Sequence, residues 1–283
     1  MRIKRVKSRK TVSFDLESKP SRFVIETAKT DPKLPALFAF CGSRGSGKTY
    51  ACVAMCSHFE KMGYITRTFL ICPTKASNDI YGNLETLDEE KDVCDSEAHC
   101  QLALKNIINE VKKDWHTYDF EKKYAKLYRK WKKNPYVINI VEERILNDQA
   151  HREPMNLPRP AHMLIVDDCQ GTGMYSDAKK DLMKHVTIKH RHIPISICFL
   201  VQSWVGLPRT IRLNATHFII YRTGDIKQLK QIYEHFGTFV TWEKFEEMYK
   251  YATSKAHGFL YIDTDPKKEY MRYRSGFDEF LLK

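Results

Sequence analysis

One stretch carries most of the chemistry legible in this chain: Gly42, Ser43, Arg44, Gly45, Ser46, Gly47, Lys48 and Thr49. The order fits G-x-x-x-x-G-K-[ST], a loop that wraps the phosphates of a nucleotide. Glycine admits backbone angles that a Cβ forbids, so successive N–H groups can turn inward on an anion. Lys48 is then placed to reach the β- and γ-phosphates, and the Thr49 hydroxyl to hold Mg2+. ATP with Mg2+ is the ligand pair the pattern predicts. A second group follows far downstream, where Met163, Leu164, Ile165 and Val166 run into Asp167 and Asp168. An apolar run of that kind makes a buried strand, and ligands of open α/β sheets bind outside the carboxyl ends of strands. Asp167 there can hold Mg2+, directly or through water, and Asp168 can orient and deprotonate an attacking water. The third member is Gln202, which ends the apolar run 195–201 level with Asp168 and is placed to sense the γ-phosphate.

These residues need elements to position them. Residues 36–41 form a short apolar run bounded by Pro35 and Gly42, a buried strand that delivers the loop. Ala51, Ala54, Met55, Phe59 and Met62 recur at helical spacing after it, and Gly63 follows as a cap. The phosphates would therefore meet a helix N-terminus. Further strands are predicted at 65–72, stopped by Pro73, and at 216–221, with helices over 177–190, 226–236 and 241–252. Residues 259–262 and 269–273 read as a hairpin across Asp265 and Pro266, residues 75–97 as polar loop, and 23–25 as a short strand. Strands alternating with helices predict an α/β fold with a mostly parallel central sheet.

Between the two phosphate-handling groups lies a long helical pattern, about 98–133. Leu104, Ile107, Ile108, Val111, Trp115 and Tyr118 form one stripe, continued by Phe120, Tyr124, Leu127 and Trp131. Lys105, Lys112, Lys113, Lys122, Lys123, Lys126, Arg129, Lys130, Lys132 and Lys133 crowd the other face. A second helix, about 138–149, folds back on it, so 98–150 is a helical insertion. The spacing leaves two uses open for the basic face, tracking DNA phosphates or simple solvation. The same holds for the basic arm at the start of the chain, where Arg2, Lys4, Arg5, Lys7, Arg9 and Lys10 stand without an acid. The predicted division is a basic arm over 1–30 and a single nucleotide-binding domain over 31–283.

The formal charge of +12 favours a polyanionic partner. No run of apolar residues is long enough to cross a membrane, and no signal peptide is expected. Four of the eight cysteines (Cys41, Cys72, Cys169 and Cys198) fall in or beside predicted strands, where cysteine acts as a small hydrophobe. Cys52 and Cys56 are one helical turn apart, and no C-x-x-C occurs, so zinc is not expected and a reducing compartment is.

Taken in order, these features resemble the FtsK/HerA superfamily of P-loop ATPases, and more closely the DNA-packaging ATPases of poxviruses, other large DNA viruses, virophages and Polinton-like elements. The resemblance rests on residues 42–49; on Ile71, Cys72, Pro73 and Thr74; on residues 163–168; on Arg191 and His192 before Ile195 and Ser196; on Gln202; and on Leu207, Pro208 and Arg209 with Ile211, Arg212, Leu213 and Asn214. It spans roughly residues 35–225. It implies a RecA-like (ASCE) P-loop core in which the Gln202 strand lies between the P-loop strand and the Asp167 strand. It implies a homo-oligomeric ring, pentamer or hexamer, with ATP between subunits and an arginine supplied by the neighbour. Arg191 matches the family's arginine before the fourth strand, and Arg212 is the second choice. The chain departs from many members in having Asp168 where they have Glu. The 98–150 insertion matches no family motif.

The expected function is an ATP-driven double-stranded DNA translocase that packages a viral genome. Its partners would be double-stranded DNA and capsid or portal proteins, in the host cytoplasm or viral factory or with the virion. The alternatives are a related assembly or secretion motor that moves protein, a small-molecule kinase, and a non-catalytic nucleotide-binding scaffold. The motor alternative usually carries a membrane helix, the kinase needs a substrate lid, and intact Lys48, Thr49, Asp167 and Asp168 argue against the scaffold. A GTPase is disfavoured because no N-K-x-D motif is present.

Overall fold

In the computed structural model, residues 23–75, 79–175, 182–190, 192–236 and 240–281 are described. At its centre is β1 (Leu37–Cys41), buried along its whole length. A strand flanked on both faces reads as a nearly continuous apolar run, and Leu37 to Cys41 does so without alternation. The other strands are β2 (Arg67–Ile71), β3 (Val93–Cys94), β4 (His162–Asp167), β5 (Ile195–Val201), β6 (His217–Tyr221), β7 (Phe259–Asp263), β8 (Tyr273–Ser275) and β9 (Glu279–Phe280). They form one nine-stranded sheet in the order β3-β2-β4-β5-β1-β6-β7-β8-β9. All pairings from β3 to β6 are parallel, and β6 through β9 pair antiparallel. β5, which ends before Gln202, lies between β1 and β4, as the resemblance implies.

Helices cover both faces. α1 (Lys48–Lys61) packs its Ala51, Cys52, Met55, Cys56 and Phe59 on one face, against Phe38, Phe40, Leu70, Ile165 and Leu200. α2 (Cys100–Lys133), α4 (Leu182–Lys189), α5 (Arg209–Asn214), α6 (Ile226–Phe236) and α7 (Trp242–Ala252) cover the other, against Leu37, Ala39, Phe69, Val166, Phe199 and Phe218. Alternate residues of β1 thus serve opposite cores, as the pleat requires. On the α1 face, Cys52 and Cys56 meet Cys198 of β5, with the three Sγ atoms within 4.8 Å of one another. Spacing on the helix alone did not reveal the third thiol.

α2 is a single helix of 34 residues, so it extends roughly 50 Å. Leu104, Ile107, Ile108, Val111 and Trp115 join the main core. Beyond Trp115 the stripe thins: Tyr124 is buried, whereas Phe120 is 39% exposed. A helix that outruns the body has no core to face. Its far half is held by the returning chain instead. Arg152 pairs with buried Glu121, Tyr124 Oη donates to Arg152 O at 2.8 Å, and Lys130 pairs with Glu142 of α3 (Ile140–Asp148). All ten basic residues named above on α2 are exposed, Lys122, Lys123 and Lys130 among them.

Several expectations need correction. The hairpin pairs Phe259–Asp263 with Tyr273–Ser275 rather than with 269–273, because Glu269–Met271 forms a helical turn. Arg272 holds that turn by donating to Glu269 and to the carbonyls of Asp263 and Thr264. β3 and β9, of two residues each, escaped notice because so short a run has no readable period. Residues 23–25 contribute only an isolated bridge, Ile25 to Leu34. Residues 23–30 nevertheless lie on the body, through Phe23 against Trp115 and Ala28 N–H to Tyr64 Oη. The basic residues 2–10 fall outside the described residues, as does Arg191. No helix among the described residues is long and apolar enough to cross a membrane.

Candidate active site

The P-loop leaves β1 at Gly42, where space is the constraint. A Cβ there would stand 2.6 Å from Tyr221 Cβ on the neighbouring β6. At Gly47 the constraint is conformational: it caps α1 with φ 97, a left-handed geometry that a Cβ penalises. Lys48 begins α1 and folds back over the loop, donating from Nζ to Gly42 O at 2.7 Å and Ser43 O at 2.8 Å. Burial lowers its pKa, and the Asp167 carboxylate opposes that shift. Arg44 and Gly45 line the same cavity, while Ser43 is exposed at the loop's edge.

Two strands away, the end of β4 supplies the acids. Asp167 is buried, and its Oδ2 accepts from Thr49 Oγ1 at 3.2 Å and from Tyr81 Oη at 2.5 Å. Burial raises the Asp167 pKa, and these two hydroxyls pull it back down. Asp168 follows with φ 52. Among residues with a Cβ, Asp is one of those that tolerate this region best, and the kink turns its carboxylate away from that of Asp167. Its Oδ2 accepts from Thr74 Oγ1 at 3.1 Å and its Oδ1 from Gln202 Nε2 at 3.0 Å. Gln202 is itself fixed through its N–H, which donates to Gln170 Oε1 at 2.9 Å.

Lys48, Thr49, Thr74, Asp167, Asp168 and Gln202 thus line one cavity of about 350 Å³ with Arg44 and Gly45. The lysine cation, the hydroxyl and two carboxylates converge because β1, β4 and β5 are adjacent and all end on the same edge. Thr49 Oγ1 beside the Asp167 carboxylate is a pair of hard oxygen donors suited to a Mg2+ ion. The loop and Lys48 suit a polyphosphate.

Arg212 is not in this cavity. Its guanidinium lies 5.3 Å over the Trp204 ring, half-buried on α5. Sequence reasoning missed Tyr81, Thr74 and Gln170 as site residues. Tyr81 sits in a helical turn, Asp79–Asn83, within the stretch read as loop, and nothing in its neighbourhood signals a contact 86 positions away. Thr74 had a cue, since it stands where β2 ends beside β4.

No protein-family model matches the chain, and no curated protein matches it. Among solved structures it is similar to the genome packaging NTPase B204 from Sulfolobus turreted icosahedral virus 2, in complex with sulfate. The two share 13% identity over 82% of this chain and 93% of that one, with a TM-score of 0.51. The pCW3 conjugation coupling protein TcpA is 17% identical over 70% of this chain and 53% of that one, at a TM-score of 0.40. EssC from Geobacillus thermodenitrificans is 11% identical over 70% and 34%, at 0.41. Only the first of these three is close enough in shape to bear on the fold, which is the α/β RecA-like P-loop arrangement.

Proposed function

We propose that the chain is an ATPase that drives double-stranded DNA into a viral capsid. The observation that carries this is the single cavity in which Lys48 and Thr49 of the P-loop face Asp167, Asp168 and Gln202 at the ends of the adjoining strands. The fold neighbour named a genome packaging NTPase supports the direction of the reading. So does the excess of 47 basic over 35 acidic residues, with a row of exposed bases along α2.

ATP binding would draw Lys48 Nζ from the Gly42 and Ser43 carbonyls onto the β- and γ-phosphates. Thr49 and Asp167 would hold Mg2+, which neutralises charge developing on the phosphates. Asp168, oriented by Thr74 and Gln202, would position the attacking water and accept its proton. The water oxygen then bonds to the γ-phosphorus as the bond to the β–γ bridging oxygen breaks, giving ADP and phosphate. Gln202, bonded to Asp168, would report the presence of the γ-phosphate to β5.

In this reading the subunits form a pentameric or hexameric ring around DNA. Arg191 or Arg212 would complete the neighbour's site, capsid or portal proteins would hold the ring, and the work would be done in the host cytoplasm or viral factory or on the virion. Arg212 lies outside its own cavity, over the Trp204 ring. The test is ATP hydrolysis with and without double-stranded DNA. DNA-stimulated turnover that Lys48→Ala abolishes supports the proposal. Turnover indifferent to DNA would move the reading to a motor that transports protein.

A further inference from the structure

His257 lies far from the P-loop in sequence and touches it in space. It sits in the turn between α7 and β7 with φ 58, one of four described non-glycine residues at positive φ. Its ring Nδ1 is 3.2 Å from Ser46 O. A carbonyl can only accept, so Nδ1 carries the proton and donates. The ring also packs on Gly47, where a Cβ would meet His257 at 3.2 Å. The next carbonyl along is held in the same manner, since Tyr221 Oη donates to Gly47 O at 3.2 Å. The turn that presents His257 is itself tight, for a Cβ at Gly258 would fall 2.5 Å from Ala252 O. Left-handed backbone at a residue with a Cβ costs energy, and such outliers persist where the surroundings enforce them and cluster at functional sites.

We infer that His257 is a positioning residue of the phosphate site, which sets the Ser46–Gly47 peptide so that the Gly47 N–H faces the nucleotide. The argument is one of peptide geometry and rests on the P-loop reading given above. A trans peptide is planar, with its C=O and N–H pointing in opposite directions. His257 lines the cleft on the outer side of the loop together with Ser46, Arg222 and Lys255. The phosphate cavity lies on the inner side, and Arg44 and Gly45 line both. Drawing the Ser46 carbonyl outward therefore turns the Gly47 N–H inward. Gly47 O, which accepts from Ala51 N–H at 3.0 Å and from Tyr221 Oη, fixes the N–H of Lys48 in the same way. An oriented donor loses less freedom when the anion arrives, so the gain appears in affinity. No motif carries this residue, because it belongs to the turn before an antiparallel strand and not to the strand ends that line the cavity.

The test is nucleotide affinity. Wild type, His257→Ala, His257→Asn, His257→Gly and Lys48→Ala would be titrated with a fluorescent non-hydrolysable ATP analogue, with kcat, KM and Tm measured alongside. Asn carries a side-chain N–H donor on Cγ, as His does, and it tolerates positive φ. Its Kd should stay close to wild type. His257→Ala should raise Kd and KM on the order of three- to tenfold, as loss of one hydrogen bond predicts, with kcat at saturation and Tm little changed. His257→Gly removes the backbone strain, so it should fold even if the alanine variant does not, and it should show the same loss of affinity. Wild-type affinity in the alanine or glycine variant, or an asparagine variant no better than alanine, would overturn the inference while Lys48→Ala still loses binding. If Lys48→Ala also binds as wild type, the phosphate-site reading fails and takes this inference with it.

Discussion

Tyr81→Phe is the sharpest perturbation of the site, because it deletes one oxygen and little else. Tyr81 is fully buried, and its hydroxyl is 2.5 Å from Asp167 Oδ2. Thr49 Oγ1 at 3.2 Å remains the other hydroxyl donor to that oxygen. Hydrogen bonds to charged groups contribute about 1.5–3 kcal/mol. The bond favours the ionised carboxylate, and burial already pushes the Asp167 pKa upward. Removing the hydroxyl should raise it further. A carboxyl must be ionised to hold Mg2+, so the acidic limb of kcat/KM against pH should move upward, and half-saturation by Mg2+ at a fixed pH in that limb should rise about tenfold or more, as loss of that free energy predicts. The assay is steady-state hydrolysis across the pH range at fixed MgATP, with a thermal melt to show that the fold is intact. Superimposable profiles for the mutant and wild type would refute the assignment of Asp167 as a metal-holding carboxylate tuned by Tyr81.

Three further outcomes are expected. Asp168→Asn should fold, since Asn also tolerates positive φ, and should bind ATP but lose about 10²–10⁴ in turnover, the contribution of a general base; single-turnover hydrolysis at the wild-type rate would remove Asp168 from that role. Changing Lys122, Lys123, Lys126 and Lys130 to Gln should flatten the log–log salt dependence of DNA affinity by about 0.9 for each phosphate that is no longer neutralised, and an unchanged slope would mean that this face of α2 is merely solvated. Asp263 is pushed from 3.8 up to about 6, mainly by burial. A carboxyl with a raised folded pKa contributes most when protonated, so its stabilisation is complete below 3.8 and is lost as pH rises through about 6. Tm measured from pH 4 to 8 should show that step, and Asp263→Asn should remove it.

The phosphate loop, its strand and helix, the acidic strand end and Gln202 were all legible in the linear sequence. The reason is that each depends on neighbours a few residues away. The left-handed Gly47, the apolar run into Asp167 and the 3.6-residue stripe of α1 are local patterns, and backbone geometry converts them directly into elements. The place of β5 between β1 and β4 was legible only through resemblance to known ATPases, because its pairings join residues more than thirty positions apart, and outside the hairpin the order of the remaining strands was not legible at all. The tertiary structure alone decided the contacts that tune the site. Tyr81, Thr74, Gln170 and His257 act through side chains that reach across 86, 94, 32 and 211 positions. Each stands in a loop or turn where composition says only that the chain reverses. What makes these four matter is the direction of a single hydroxyl, amide or imidazole, and that direction is set by packing between segments that no sequence period connects.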